Sequence, residues 1–297
     1  MKEDHVSVVI SSFDNDVPSV LRELKDQSID WWDCVIAAKV APAARARNLG
    51  AGKAQGKYLI FLDDDVKLSS ARVLEDVIET MKSLGHKDAV GITWRLTPRA
   101  NWLQRKLSGD PLFTFAQSGH DVELSWRECG AACFAIRSEW FAALGGFDED
   151  LLSGEDYDLA YRIIRSGGKI HTLPHCWIEH DPSRTIKGAI KKAFWYERGN
   201  AQVARKHPEA DYRINLDRPW KAIVYLLLRT IAFVPLMFLK VNYRQQWPKV
   251  AFRPFETFLS YIGAWAYVRE WLFPSQARIQ ESTSSLVTLL REETNVQ

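Results

Sequence analysis

Four cysteines in 297 residues, Cys34, Cys129, Cys133 and Cys176, make no CxxC pair and no zinc-site spacing. A disulfide scaffold and a zinc finger are thereby set aside, and the four read as reduced, mostly buried thiols in a cytosolic setting. The first residues, Met1-Lys2-Glu3-Asp4-His5, run into a strand-like segment without the apolar h-region of a signal peptide. No glycine-rich loop bearing Arg and Lys follows that strand. Ser11-Ser12-Phe13-Asp14 stands there instead, which counts against a sugar nucleotidyltransferase. Long uninterrupted apolar runs are missing too. Ala222 to Leu239 only just reaches the roughly 20 residues a membrane-spanning helix needs, and Arg229 lies near its middle.

Hydrophobic content of 46% with 26% charged residues is that of a globular protein with a sizeable core. Strand and helix signals alternate from the start. Val6 to Ile10 is a β-branched strand, Val17 to Gln27 an amphipathic helix, and Asp33 to Ala38 a second strand. Ala43 to Ala54 reads as a helix presenting Arg45, Arg47 and Lys53. Ser70 to Leu84 is a further helix, and Ala89 to Trp94, Gly130 to Ile136 and Lys169 to Pro174 are further strands. Ser138 to Leu144 reads as a short helix ended by Gly145-Gly146. This alternation predicts an α/β domain with a parallel or mixed sheet. The stretch Arg95 to Trp126 lacks periodicity, and a loop that long is expected to serve as a lid or acceptor-binding segment.

The run Tyr58-Leu59-Ile60-Phe61-Leu62 carries a buried central strand straight into Asp63-Asp64-Asp65. Acids at the carboxyl end of such a strand sit where open α/β sheets bind ligands. Three so close repel one another unless a cation neutralises them, which points to a divalent metal. A solvated acidic turn is the alternative. A DxDxT phosphatase fits poorly, since Lys67 rather than Thr or Val stands two residues after Asp65. A second acidic cluster, Asp148 to Asp158, places Glu155-Asp156 in the first turn of a helix. Helix capping explains acids there; a general base towards an incoming hydroxyl explains them as well.

Five ordered segments resemble the inverting glycosyltransferases of GT-A fold, family 2. They are Ser7-Val8-Val9-Ile10-Ser11, Ala46-Arg47-Asn48-Leu49-Gly50, Gly56 to Val66, Gly145 to Leu151, and Gly154 to Arg162. The resemblance covers residues 6 to about 181 and implies a Rossmann-like mixed sheet flanked by helices. It further implies a hexosyl- or deoxyhexosyltransferase that moves a sugar from a nucleotide-sugar donor to a hydroxyl acceptor. By the same resemblance Asp63 and Asp65 match the DxD pair, and Asp65, Asp63 and His180 would ligate Mg²⁺ or Mn²⁺. Ser11, Asp63, Arg47 and Gly130 would contact the donor. Asp156, with Glu155 beside it in the ED motif, would deprotonate the acceptor. One departure stands out: Val35-Ile36-Ala37-Ala38-Lys39 holds no acid where the family contacts the nucleotide base. That absence motivates the alternative of a non-catalytic, membrane-bound sugar-nucleotide-binding protein.

Net charge is only +2, yet residues 183–255 carry 15 Lys/Arg against 4 Asp/Glu, leaving +11 there and −9 elsewhere. Because this basic half is also apolar, an anionic membrane surface is the expected partner rather than nucleic acid. Ile186, Ala189, Ile190, Ala193 and Phe194 recur at helical spacing, with Lys187, Lys191 and Lys192 on the other side. Tyr196 to Asn200 reads as a polar cluster closing over the acceptor. Ala222 to Leu239 and Phe255 to Phe273 predict a monotopic hairpin in the cytoplasmic leaflet, with Trp220, Trp247, Trp265, Tyr267 and Trp271 as an aromatic belt. Two spans, or burial in a homodimer interface, are the alternatives. The expected layout is a catalytic domain at 1–182, a basic and apolar helical region at 183–275, and a polar tail at 276–297 with a short helix through Leu286 to Leu290. A lipid-linked or glycan acceptor in surface-polysaccharide or glycolipid synthesis would suit that layout.

Overall fold

The computed structural model describes residues 5–13, 17–29, 32–107, 122–126, 128–173, 175–210, 219–238, 253–277 and 280–291. The loop residues 14–16, part of the aperiodic stretch (108–121) and Trp247 lie outside them. The chain opens with β1 (Val6–Ser12), α1 (Pro18–Lys25), β2 (Trp32–Ala41), α2 (Ala43–Lys53) and β3 (Tyr58–Asp63). Both β2 and β3 pair parallel to β1, which sits between them. Their residues are buried on both faces, as the near-continuous apolar runs require. Gly56 lets β3 start against β1: an added Cβ there would stand 2.5 Å from the Ser7 nitrogen. Ser7 Oγ accepts hydrogen bonds from the Gln55 and Gly56 amides at 3.1 and 2.8 Å, closing this corner.

After Asp65 the chain makes β4 (Lys67–Leu68), α3 (Val73–Ser83), β5 (Ala89–Gly91), β6 (Thr93–Arg95), α4 (Trp102–Leu107) and β7 (Val122–Glu123). It continues through β8 (Cys133–Arg137), α5 (Ser138–Ala143), α6 (Glu155–Arg165), β9 (Ile170–Thr172) and β10 (Trp177–Glu179). Long α7 (Ile186–Lys206), α8 (Pro219–Phe238), α9 (Arg253–Leu272) and β11 (Gln280–Arg291) complete it. The large sheet runs β11-β2-β1-β3-β8-β5-β9-β7, and a small sheet runs β4-β10-β6. One apolar core lies under α1 and α3, around Val8, Ile10, Ile60, Leu74 and Ile78. The other lies under α5 and α6, around Phe61, Phe134, Phe141, Phe147 and Leu159. This is the mixed sheet with flanking helices that the segments predicted.

Several expectations are corrected. The strand expected over Ala89 to Trp94 is two strands in different sheets, because the chain bends at Ile92, whose amide bonds the Cys133 carbonyl at 3.0 Å. An apolar run shows no such change of sheet. The helix expected from Ser70 begins at Val73, and the strand expected from Gly130 begins at Cys133. The polar cluster Tyr196 to Asn200 lies in the middle of α7. The tail helix expected through Leu286 to Leu290 is strand β11, antiparallel to β2 with Leu289 opposite Val35. Its Ser and Thr residues favour extended backbone, and the open edge of β2 supplies a partner.

The catalytic sheet and the C-terminal helices are joined by a buried charge cluster. The Asp158 side chain is wholly buried and accepts from Arg162 and Lys206, each at 2.7 Å, and meets His207 Nε2 at 2.7 Å. Burial opposes its charge, but Arg162, Lys206 and His207 together hold its pKa below the usual carboxylate value. Replacing Asp158 by Ala leaves Arg162, Lys206 and His207 facing a void. The expected cost is about 3 kcal/mol or more, read as a lowered midpoint in urea unfolding, with Asp158→Glu intermediate.

Candidate active site

The carboxyl ends of β1 and β3 meet the first turn of α6. Ser11 and Asp63 are register partners at the ends of β1 and β3. Gly154, in a left-handed conformation (φ 81°), opens α6 and turns Glu155 and Asp156 back towards β3. Between them stands Arg47 of α2. Its Nη2 donates to Asp63 Oδ1 at 2.7 Å and its Nη1 to Glu155 Oε1 at 2.6 Å. Burial works against the guanidinium charge, but Asp63 and Glu155 outweigh it and raise its pKa.

Asn48, next to Arg47, clamps the turn that follows α5. It accepts from the Phe147 amide at 2.9 Å and donates to the Phe147 carbonyl at 2.8 Å. Phe147 packs edge-on to Phe61 of β3 with ring centroids 4.9 Å apart, and Arg47 lies 5.6 Å from the Phe147 centroid. Arg45 is drawn away to Glu149 at 2.9 Å rather than into the cleft.

Asp156 faces the opposite wall. Its Oδ1 accepts from the Tyr157 amide at 2.8 Å and its Oδ2 from the Ala131 amide at 3.4 Å. An added Cβ on Gly130 would lie 3.9 Å from that same Oδ2, so glycine leaves the approach open. Burial is the main influence on Asp156 and Glu155 adds to it; against the pull of Arg47 they raise its pKa to about 7. A carboxylate so poised takes up a proton near neutral pH.

Asp65 turns away to His180, which follows β10, with Oδ2 and Nε2 3.4 Å apart. Two ligands of one cation at bonds of about 2.1 Å span such a distance. Burial opposes protonation of His180, but the bond and charge of Asp65, aided by Asp63, raise its pKa. Asp64 is pushed up by burial and by its neighbours Asp65 and Asp63. A carboxylate and an imidazole thus fit a divalent ion, whereas Asp63 has one oxygen committed to Arg47. Asp76, His175 and Cys176 also converge, their ligand atoms within 4.8 Å of one another. There Arg72 already binds Asp76 at 3.4 Å, and burial followed by Asp76 pushes the Cys176 thiol up to about 12, which disfavours a thiolate ligand.

Residues 10–145 match the model described as Glycosyl transferase family 2. That match spans just under half of the chain. A pre-mycofactocin glycosyltransferase of Mycobacterium tuberculosis is 33% identical over 79 residues, 27% of this chain and 17% of the relative. An O-antigen biosynthesis protein of Myxococcus xanthus is 26% identical over 191 residues, 58% of this chain and 14% of the relative. The chain therefore spans less than a fifth of either relative's length. A solved mannosyltransferase of Pyrobaculum calidifontis, in complex with GDP-Man and Mn²⁺, superimposes with a TM-score of 0.61 at 14% identity, over 92% of this chain and 88% of that one. That likeness shows the GT-A fold.

The structure brings Ser11, Asp63, Arg47, Gly130, Glu155 and Asp156 to one cleft, with Asp65 and His180 at its rim. Two residues of α7 join them: Lys192, which the sequence placed elsewhere, and Tyr196, which was expected to close over the acceptor. Lys192 was expected on the outer, basic face, yet its charge acts on both Asp65 and His180. Tyr196, half open to solvent, has its hydroxyl pushed up to about 12 by burial and then by Asp156, Asp63, Glu155 and Asp65. Their four-residue spacing on a helix was the available signal.

The raised pKa of Asp156 carries a stability cost with a defined sign. Unfolded, the carboxyl ionises near pH 3.8; folded, it holds its proton to about 7. The cost is therefore absent at low pH, builds as pH rises between these values, and is complete above the folded pKa. Asp156→Asn is expected to melt like the native chain near pH 4 and a few degrees above it at pH 8, by about 2–4 °C per kcal/mol. Calorimetry across that range checks it; a native chain more stable than the variant at pH 8 contradicts the assignment.

Proposed function

We propose that this chain is a metal-dependent, inverting glycosyltransferase acting on a nucleotide-sugar donor and a hydroxyl acceptor. The observation that carries this reading is Asp156. It is a half-buried carboxylate with its pKa near neutral, facing the Gly130 wall and adjoining the Arg47-bridged acids at the sheet's carboxyl edge. Asp156 takes the proton of the acceptor hydroxyl as that oxygen attacks the anomeric carbon. The bond from that carbon to the diphosphate oxygen breaks, and its electron pair leaves with the nucleoside diphosphate. Attack from the face opposite the leaving group inverts the anomeric centre. Arg47 fixes Asp63 and Glu155 so that Asp63 meets the donor while Asp156 stays free. Asp65 and His180 would hold a divalent ion, Mn²⁺ or Mg²⁺, which would supply positive charge to offset that of the departing diphosphate. The imidazole favours Mn²⁺, since Mg²⁺ sites are built from oxygen ligands.

The same proposal places the chain at a membrane surface, on the cytoplasmic face, with a lipid-linked or glycan acceptor in surface-polysaccharide or glycolipid synthesis. The name of the Myxococcus relative, an O-antigen biosynthesis protein, supports a surface-polysaccharide setting. Helix α8 supports it. Ile223, Leu227, Leu228, Ile231 and Val234 form an exposed apolar stripe, Ile231 being 74% open. Ala222, Leu226 and Tyr225 pack on the other side. Arg229 folds back to the Ser260 carbonyl and hydroxyl of α9, leaving the stripe uncharged. Among the described residues no helix is long and apolar enough to cross a membrane. A hairpin lying in one leaflet suits both facts.

Transfer from a panel of UDP-, GDP- and dTDP-sugars with Mn²⁺ tests the chemistry. Asp156→Asn is expected to lose at least about 100-fold in transfer while retaining donor binding. Asp65→Ala or EDTA should abolish transfer, and activity that survives both defeats the metal assignment. Binding without turnover on every donor would make the chain a sugar-nucleotide-binding protein. Leu227→Glu with Ile231→Glu should reduce flotation with anionic vesicles several-fold; unchanged flotation would remove α8 from the membrane contact.

A further inference from the structure

Helix α7 is seated on the catalytic domain at a fixed height and rotation. Gly199 meets Ser153 so closely that an added Cβ would stand 2.3 Å from the Ser153 carbonyl oxygen. Ser153 Oγ donates to the Trp195 carbonyl at 3.2 Å, and the Leu152 amide donates to Gln202 Oε1 at 2.8 Å. Val203 closes on Gly154, where an added Cβ would meet its Cγ2 at 3.2 Å. These contacts seat the helix on residues 152–154, immediately ahead of Glu155 and Asp156.

Counting back along that stripe by the helical period gives Val203, Gly199, Tyr196, Lys192 and Ala189. Val203, Gly199 and Ala189 are buried, so the stripe points at the domain throughout. Lys192 and Tyr196 are its long polar members, and both remain exposed. They overhang the cleft rather than pack into it. The N-terminus of α7 follows His180 within six residues, with Thr185 as its cap, accepting from the Gly188 amide at 3.1 Å. This puts Lys192 beside the Asp65–His180 pair and Tyr196 over the carboxylates.

The charge arrangement leaves an opening for a cation. Asp63, Asp65, Glu155 and Asp156 gather here, and Arg47 is bound to Asp63 and Glu155. An incoming diphosphate adds further negative charge to a cleft whose buried cation is already committed. Lys192 has no ion-pair partner among the described residues. We propose that Lys192, held over the cleft by α7, binds the diphosphate of the nucleotide donor, with Tyr196 forming the same wall one turn on. This deepens the glycosyltransferase reading and rests on it. A flexible ammonium at an exposed rim suits a ligand that must enter and leave, where a buried guanidinium suits a permanent bridge.

Calorimetric titration of the full chain with UDP, GDP and dTDP in Mn²⁺ tests the proposal, beside uridine, guanosine and thymidine, which lack phosphate. For whichever diphosphate binds, Lys192→Met is expected to weaken binding roughly tenfold. Lys192→Arg should recover most of it, and Lys191→Met, on the neighbouring exposed position, should change nothing. The affinity of the native chain should also fall more steeply with KCl than that of Lys192→Met. Unchanged diphosphate affinity in Lys192→Met, alongside lost affinity in Asp65→Ala, overturns the role of Lys192 and leaves the donor reading standing. An equal loss for the phosphate-free nucleoside overturns it too, since the effect would then be structural. If the native chain binds none of the three diphosphates, the donor reading fails and this inference with it.

Discussion

A buried guanidinium held between two carboxylates is the constraint from which the rest of the site follows. Arg47 belongs to α2, Asp63 to the end of β3 and Glu155 to the start of α6, and its two short bonds tie these elements together. Without it, Asp63, Glu155 and Asp156 would face one another as like charges in a poorly hydrated cleft, and at least one would hold its proton. With it, the negative charge is divided unevenly. Asp63 and Glu155 are compensated, while Asp156, one residue further round the helix, is left to burial and rises in pKa. Adjacent acids in the sequence thus acquire opposite characters from a single partner.

That bridge is itself braced from behind. Asn48 grips the Phe147 turn, and Arg162 donates to the Leu144 and Gly146 carbonyls, each at 2.7 Å. Arg162 then passes to Asp158, and Asp158 to Lys206 and His207 at the end of α7. Glu270 of α9, wholly buried, accepts from Arg198 at 2.8 Å and from Gln202 at 2.8 Å, so the third helix is locked to the first. The polar links run unbroken from the floor of the cleft to the hairpin. A displacement of the hairpin is therefore felt at α7, and α7 is the wall of the cleft.

The sequence showed the parallel core plainly, because strands buried on both faces spell continuous apolar text and the helices between them carry clear stripes. It also showed the acids, since Asp63 to Asp65 and Glu155-Asp156 each stand at an element boundary. It did not show their partners. The Arg47–Glu155 contact joins residues 108 positions apart, and nothing in the local text of Ala46-Arg47-Asn48 separates a buried bridge from a solvent-facing arginine. Lys192 was hidden for a related reason: an exposed lysine on an amphipathic helix looks alike whether it overhangs water or a cleft. Strand β11 escaped notice because its partner is the far edge of a sheet, and a lone Ser/Thr/Leu segment gives no sign of the edge it completes.

That last strand changes the status of the helices before it. After α9 the chain returns to the sheet and lies along β2, so the helical region is an insertion moored at both ends and not a dangling appendage. Two moorings restrict the hairpin to a narrow range of tilts, so its exposed stripe is held at a set angle to the cleft rather than on a swivel. The same strand covers the row of amide and carbonyl groups along the outer side of β2 that would otherwise invite another chain. Removing Gln280–Arg291 would consequently unmoor the hairpin and bare a sheet edge at one stroke, so the seating of the hairpin and resistance to aggregation are vested in the same twelve residues.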